Sequence, residues 1–125
     1  MLTRALSSSG GGNGRYKYDY LGNGSGISQY KINLGFKPRA ILIKCNVISG
    51  GNNWSTYDYY DEEVSPTQAK HSANGTTPSN VNIGSSGCII YSIDNDSNNV
   101  GFTLGFGSAG TDLSIAYYVT YLAVE

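Results

Sequence analysis

Residues 31–47 decide the fold and read Lys-Ile-Asn-Leu-Gly-Phe-Lys-Pro-Arg-Ala-Ile-Leu-Ile-Lys-Cys-Asn-Val. Ile32 and Leu34 alternate with polar residues, which is the period-two pattern of a strand that is buried on one face. Gly35 then allows the backbone to turn, while Pro38 fixes φ and removes a hydrogen-bond donor. The stretch therefore predicts a strand, a fixed bend and a second strand.

The second strand begins with Ala-Ile-Leu-Ile at residues 40–43, a largely β-branched run that suits the interior of a sheet. Its two predicted faces carry Ile41, Ile43, Cys45 and Val47 on one side and Leu42, Lys44 and Asn46 on the other. No side chain suited to catalysis stands out here. We interpret this stretch as scaffold and expect function elsewhere.

The composition indicates one small domain whose surface is polar but carries little charge. The chain has 125 residues, enough for a single hydrophobic core, and only 14% of them are charged. Eleven tyrosines stand against three phenylalanines. Because a tyrosine ring can pack while its hydroxyl stays hydrated, this bias is typical of surfaces that bind polar partners.

Charge and hydropathy argue against two classes of partner. The formal net charge is -1 at pH 7, whereas proteins that bind nucleic-acid phosphates normally carry a basic patch. No apolar run approaches the roughly 20 residues that cross a bilayer, and no apolar segment follows Arg4 as a secretory signal requires. We expect neither nucleic-acid binding nor membrane insertion.

Short apolar segments separated by turn residues recur along the chain. Strands are predicted at 16–20, 54–60, 81–83, 88–93, 100–106 and 113–124, in addition to the two described above. In the first, Tyr16, Tyr18 and Tyr20 alternate with Lys17 and Asp19, which predicts an edge strand with a charged outer face. Residues 61–80 predict a long loop, and a loop of that length is often functional.

These segments predict an all-β fold. About seven to nine short strands, with no clear helical periodicity, indicate an antiparallel β-sandwich that spans residues 15–125. The Ser/Gly-rich residues 1–14 predict a flexible lead-in or linker. The last strand is apolar on both faces, so we expect it to be central in the sandwich or buried between subunits.

Three segments of the chain, taken together, carry a family resemblance. Leu-Gly-Asn-Gly occurs at 21–24, Ile-Asn-Leu-Gly-Phe-Lys-Pro-Arg-Ala-Ile-Leu-Ile at 32–43, and Tyr-Val-Thr-Tyr-Leu-Ala-Val-Glu at 118–125. The combination resembles the C-terminal tip domain of bacteriophage tail fibres. The resemblance implies a homotrimeric receptor-binding domain in the tail of a virion, or of a phage-derived particle, made in the bacterial cytoplasm and assembled with other tail proteins. It implies no ligand-binding residue.

Aromatic and acidic side chains concentrate between residues 54 and 63. Aromatic rings stack on sugar rings, while carboxylates accept hydrogen bonds from sugar hydroxyls. The predicted ligand-binding residues are therefore Trp54, Tyr57, Asp58, Tyr59, Tyr60 and Asp61. Two alternatives remain open: packing of the aromatics in the core or between subunits, and a glycosidase that uses Asp58 and Asp61 as its acid pair.

Other motifs favour structural roles. Gly105–Gly110 matches the spacing G-x-G-x-x-G, but a strand pattern follows it, so we predict a Gly-rich hairpin instead of a nucleotide site. Asp94-x-Asp-x-Asn98 begins like a calcium loop yet lacks its later Gly and Glu, which predicts an Asx-stabilised turn. His71 is predicted on a surface loop. Cys45 and Cys88 are either buried thiols or a disulfide.

The sequence thus predicts a protein that is not an enzyme, with no catalytic residue, no metal and no cofactor. The favoured function is a distal tail-fibre or receptor-binding domain, homotrimeric, that contacts host cell-surface carbohydrate. The alternatives are a trimerisation or capping domain without a ligand and, less favoured, a small glycan hydrolase.

Overall fold

The computed structural model describes residues 14–23, 29–49, 51–105 and 115–125, and every regular element within these ranges is a β-strand. The strands are β1 (Tyr16–Asn23), β2 (Gln29–Asn33), β3 (Ala40–Ser49), β4 (Asn52–Asp61), β5 (Gln68–Ala73), β6 (Ser79–Asn82), β7 (Ile90–Asn95), β8 (Val100–Gly105) and β9 (Ile115–Val124). The predictions for residues 1–13 and for the Gly-rich segment at 106–112 lie outside the described residues.

The strands form two sheets in which all neighbours pair antiparallel. The large sheet has six strands in the order β1-β9-β3-β4-β5-β6, and the small sheet has three in the order β2-β8-β7. The predicted all-β antiparallel sandwich is confirmed. β9 lies between β1 and β3, so the prediction of a central last strand is also confirmed.

The core lies where the inner faces of the two sheets meet. The large sheet contributes Ile41, Ile43 and Tyr121, which are fully buried, and the small sheet contributes Phe102 and others. The rings of Phe102 and Tyr121 meet edge to face, with centroids 5.3 Å apart and planes at 83°. Such pairs stabilise a core beyond the area that they bury.

The bend at residues 34–39 carries the chain from one sheet to the other. Gly35 has φ of 76°, a conformation that favours glycine, and its N–H donates to Val100 O at 3.1 Å. Arg39 N–H then donates to Val124 O at 2.7 Å, which starts β3 beside β9. The predicted strand–bend–strand unit is confirmed, and its strands belong to different sheets.

Arg15 holds the two ends of the domain against this bend. Its guanidinium forms a two-bonded ion pair with Glu125, in which Nε donates to Oε1 at 2.9 Å. The same group donates to Gly35 O at 3.3 Å and lies 5.3 Å from the centre of the Phe36 ring. Arg15, which precedes β1, and Glu125, which follows β9, are therefore adjacent in space.

The predicted loop at residues 61–80 is wrong. A turn leads into β5, which pairs with β4, and β6 then forms the edge of the large sheet. These strands lack an apolar alternation, since Ala69 is the buried residue of β5. Because backbone pairing to β4 supplies the order, the local sequence gives little sign of them.

Candidate functional site

β4 divides the predicted ligand-binding residues between two faces of the large sheet. Its pairing with β3 runs without a register shift from Asn52 to Asp61, so consecutive residues point to opposite sides. The outward side carries Tyr57, Tyr59 and Asp61, whereas the side toward the core carries Trp54, Asp58 and Tyr60. The six residues therefore do not form one surface.

The outer face of the large sheet is rich in exposed aromatic side chains; we call it the tyrosine face. One row of paired residues crosses all six strands in the order Tyr18, Leu122, Leu42, Tyr59, Lys70 and Asn80. The row is apolar at the β1–β9–β3 end and polar at the β5–β6 end. Exposed apolar patches of this kind often mark interaction sites.

The predicted orientation of β1 is wrong. Tyr16, Tyr18 and Tyr20 lie on the tyrosine face, where Tyr18 is 69% exposed. Lys17 and Asp19 pair with Ala123 and Tyr121, which belong to the core side of the sheet. β1 is an edge strand as predicted, but charged residues on its inner side are tolerated because that margin stays partly open to solvent.

Polar groups surround the two tyrosines of β4 on the tyrosine face. Lys44 Nζ lies 5.8 Å from the centre of the Tyr57 ring, within the range of a cation–π contact. Tyr59 donates its hydroxyl to Asp61 Oδ2 at 3.2 Å. Partial burial raises the pKa of Tyr59, and Asp61 raises it further, so this phenol remains a hydrogen-bond donor at neutral pH.

Trp54 and Tyr60 serve the interior instead. Tyr60 is 1% exposed and is part of the core, while Trp54 is half-buried and packs against the core. For Tyr60, the alternative of core packing is the one that the structure supports. A ring this deeply buried is out of reach of a ligand at the surface.

Asp58 and His71 form a polar pair on the inner side of β4 and β5. The two residues are direct partners in the β4–β5 ladder, and His71 Nδ1 lies 2.8 Å from Asp58 Oδ1. Asp58 is 1% exposed, whereas the His71 side chain is 25% exposed. His71 therefore lies on a strand, and its predicted position on a surface loop is wrong.

The carboxylate of Asp58 is only half satisfied. Its Oδ2 atom is buried and has no hydrogen-bond partner among the described residues. Burial raises the pKa of the Asp58 carboxyl above its ordinary value of 3.8, because the loss of hydration outweighs the hydrogen bond to His71, the charge of His71 and the nearby backbone N–H of Ile89. The Ile89 N–H does not reach the geometry of a full hydrogen bond, so Oδ2 still lacks a partner. Such an atom is unusual in a folded protein and calls for an explanation.

The two cysteines are free and buried, so the predicted buried thiols are confirmed and the disulfide is not formed. Burial raises the pKa of Cys45 to about 12 and that of Cys88 to about 11, and the charge of Asp58 adds to both shifts. The thiolate is the reactive form of cysteine. Neither side chain is thus prepared to act as a nucleophile with His71.

Asp58 and Asp61 do not form an acid pair. Asp58 points toward the core and Asp61 toward the tyrosine face, so the sheet lies between their carboxyl groups. Glycosidases need both carboxyl groups to flank one scissile bond. This geometry removes the pair on which the hydrolase alternative depended.

The acidic motif at 94–98 begins at the end of β7 and continues into the turn before β8, where the predicted Asx-type hydrogen bonds occur. Asp96 Oδ1 accepts hydrogen bonds from the N–H groups of Asn98 and Asn99 at 2.8 and 3.1 Å. Asp94 accepts from Thr103 Oγ1 at 2.5 Å and from Asn99 Nδ2 at 2.8 Å, which ties the turn to β8. Within the described ranges no group of three or more His, Cys, Asp or Glu side chains is arranged to hold a metal.

Comparisons with known proteins leave the family open. No protein-family model, curated protein or solved structure matches the chain. In the part of the chain that the structure describes, no helix is long and apolar enough to cross a membrane. The tail-fibre resemblance therefore stays a prediction.

Proposed function

We propose that this chain is a non-enzymatic receptor-binding domain at the distal end of a phage-type tail fibre and that it contacts host cell-surface glycans. The observation that carries the proposal is the pair of exposed rings on β4: Tyr57 is 43% and Tyr59 is 44% exposed. Both lie on the tyrosine face beside polar groups of neighbouring strands.

This part of the tyrosine face has the chemistry that sugars require. The C–H side of a sugar ring packs on an aromatic ring through dispersion contacts that sum over many atoms. Lys44 and Asp61 offer a donor and an acceptor next to the two rings, and Asn46 and Ser55 add an amide and a hydroxyl that bond to each other at 2.8 Å. A flat surface with this mixture favours a long polysaccharide over a small molecule.

Binding to a glycan array and to bacterial cells tests the proposal. The double variant Tyr57→Ala/Tyr59→Ala removes both rings, and we expect binding to weaken at least tenfold, since aromatic residues dominate the energetics of most contact surfaces. Tyr30→Ala is the matched control: it removes a tyrosine that is 43% exposed but belongs to β2 in the small sheet. Equal binding by wild type and the double variant would exclude this part of the tyrosine face as the receptor site.

An alternative function has its own support at the other end of the tyrosine face. Tyr18, Leu122 and Leu42 lie side by side on three neighbouring strands, and Tyr18 and Leu42 are exposed. Apolar side chains in such a row are typical of contacts between subunits. The alternative is a domain that trimerises or caps a fibre through this end of the face.

Sedimentation of the wild type and of Leu42→Glu tests that alternative. If three copies meet through this row, the wild type sediments as a trimer, and the buried charge of the variant dissociates it to monomers. A wild type that remains monomeric at micromolar concentration would exclude the assembly role. Glycan binding by such a monomer would still support the receptor-binding function.

A further inference from the structure

A cavity of about 190 Å³ lies on the inner side of β4, away from the tyrosine face. Its walls come from both sheets and from the segment before β7, and the residues that matter here are Trp54, Thr56, Asp58, His71, Ser86 and Cys88. Ser86 is exposed and Trp54 half-buried, so solvent reaches the cavity. Ligand sites are concave and mostly apolar, with a few convergent polar groups.

The half-satisfied carboxylate of Asp58 is one of those polar groups. Asp58 Oδ1 is occupied by His71, whereas the buried Oδ2 has no partner among the described residues. A carboxylate oxygen in that state needs an O–H or N–H donor. Asp58 lines the cavity, so a ligand within it lies next to this carboxylate.

We propose that this cavity binds a single sugar ring or a similarly compact polyol. The Trp54 indole offers an apolar surface for the C–H side of the ring, and Asp58 Oδ2 accepts from one of its hydroxyls. Thr56 and Ser86 carry further hydroxyls on different walls. The polar groups of the lining lie on separate walls. A polyol can direct a hydroxyl toward each wall, whereas an ammonium ion has all its N–H donors on one nitrogen.

A second depression extends the site. It has a volume of about 290 Å³ and shares Ser86, Cys88 and Gly105 with the cavity. Gln29 and the exposed side chain of Tyr91 are also part of its lining. A linear saccharide is therefore expected to place its terminal ring against Trp54 and its next ring near Tyr91. This site is separate from the tyrosine face, and it can exist whether or not that face binds glycans.

The fluorescence of Trp54 tests the proposal directly, because the chain contains one tryptophan. Titration uses glucose, galactose, mannose and N-acetylglucosamine as probes, with methylammonium as the cationic alternative, and backbone NMR shifts as a second readout. We expect at least one sugar to change the emission saturably in the millimolar range and to shift resonances of residues around the cavity. A saturable response to methylammonium alone would overturn the assignment to a polyol.

Two variants separate a binding site from an incidental response. Asp58→Asn changes the accepting oxygen and is expected to weaken sugar binding at least roughly tenfold, as loss of a hydrogen bond to a charged group does. Ser86→Phe fills the mouth of the cavity from an exposed position and is expected to weaken sugar binding at least roughly tenfold because it blocks entry. Tyr30→Ala is the control, because this exposed tyrosine of β2 lines neither the cavity nor the second depression and lies away from the tyrosine face; it should leave the affinity unchanged. The proposal fails if no sugar binds, or if both cavity variants bind as tightly as the wild type.

Discussion

Asp58→Asn should make the protein more stable at neutral pH, although it changes a residue in the middle of β4. The wild-type carboxylate is 1% exposed and leaves Oδ2 without a partner among the described residues. Asparagine has nearly the same shape and keeps an oxygen that accepts from His71. The substitution removes the buried charge and places a neutral amide N–H group at the position of Oδ2.

The expected size follows from two opposing effects. A buried polar group without a partner costs about 1–3 kcal/mol, and a charged one costs more. Replacing the charged acceptor of His71 by a neutral one loses about 1 kcal/mol of hydrogen bonding. We therefore expect the free energy of unfolding of the variant to exceed that of the wild type by about 1 kcal/mol at neutral pH.

The pH dependence of the difference in unfolding free energy gives a sharper test than its value at a single pH. Burial raises the pKa of Asp58 in the folded state above 3.8, so the folded protein holds this proton more tightly than the unfolded chain does. The wild-type free energy of unfolding thus falls as the pH rises from about 3.8 to the folded pKa, and this contribution is constant above it. The variant lacks this group, so its advantage grows over the same window.

Urea denaturation of both proteins, repeated from acid to neutral pH, measures that difference. The titratable groups that face Asp58 are His71, Cys45 and Cys88, and the two thiols stay neutral throughout because their pKa values are about 12 and 11. Asp61→Asn makes the same substitution on the outer side of the same strand and serves as the control. Parallel curves for the wild type and Asp58→Asn would refute the reasoning.

Three further substitutions test the packing, each by chemical denaturation. Ile43→Ala removes a fully buried side chain from β3 and should cost about 2–5 kcal/mol; a free energy of unfolding equal to that of the wild type would contradict the central place of this strand. Gly101→Ala should cost about 3 kcal/mol, because its Cβ would clash with the carbonyl group of Ile32. Asp94→Ala leaves the buried Thr103 hydroxyl without its acceptor and should cost about 1–3 kcal/mol, with no loss expected if the turn were held by its backbone alone.

The parts of the fold that alternate apolar and polar residues were predictable from the sequence. In β3 the predicted inner face, from Ile41 to Val47, is buried at every second residue, and Leu42, Lys44 and Asn46 are exposed. Gly35 and Pro38 indicated the bend correctly, because glycine frees the backbone and proline restricts it through their own covalent structures. Such signals are local and need no knowledge of the neighbouring strands.

The features that depend on pairing between distant segments were not predictable. β5 has the sequence Gln-Ala-Lys-His-Ser-Ala, and its order comes from hydrogen bonds to β4 and β6. Its register places His71 opposite Asp58, thirteen residues earlier in the chain. No spacing rule connects these residues, so the sequence suggested a histidine on a surface loop and, separately, an acid that binds a ligand. The nearby Asn, Ser and Thr residues are equally typical of loops.

The alternation along β4 makes the two proposed sites separable by experiment. Tyr57 and Asp58 are neighbours in sequence, yet one lies on the tyrosine face and the other lines the cavity. Their side chains share no contact surface, because the sheet lies between them. A substitution at an odd-numbered position from 55 to 61 therefore perturbs the outer surface, and one at an even-numbered position perturbs the inner side. Both kinds of substitution could weaken binding of the same glycan equally, without loss of stability. That result would contradict two independent sites, because one extended ligand would then have to pass around the edge of the large sheet.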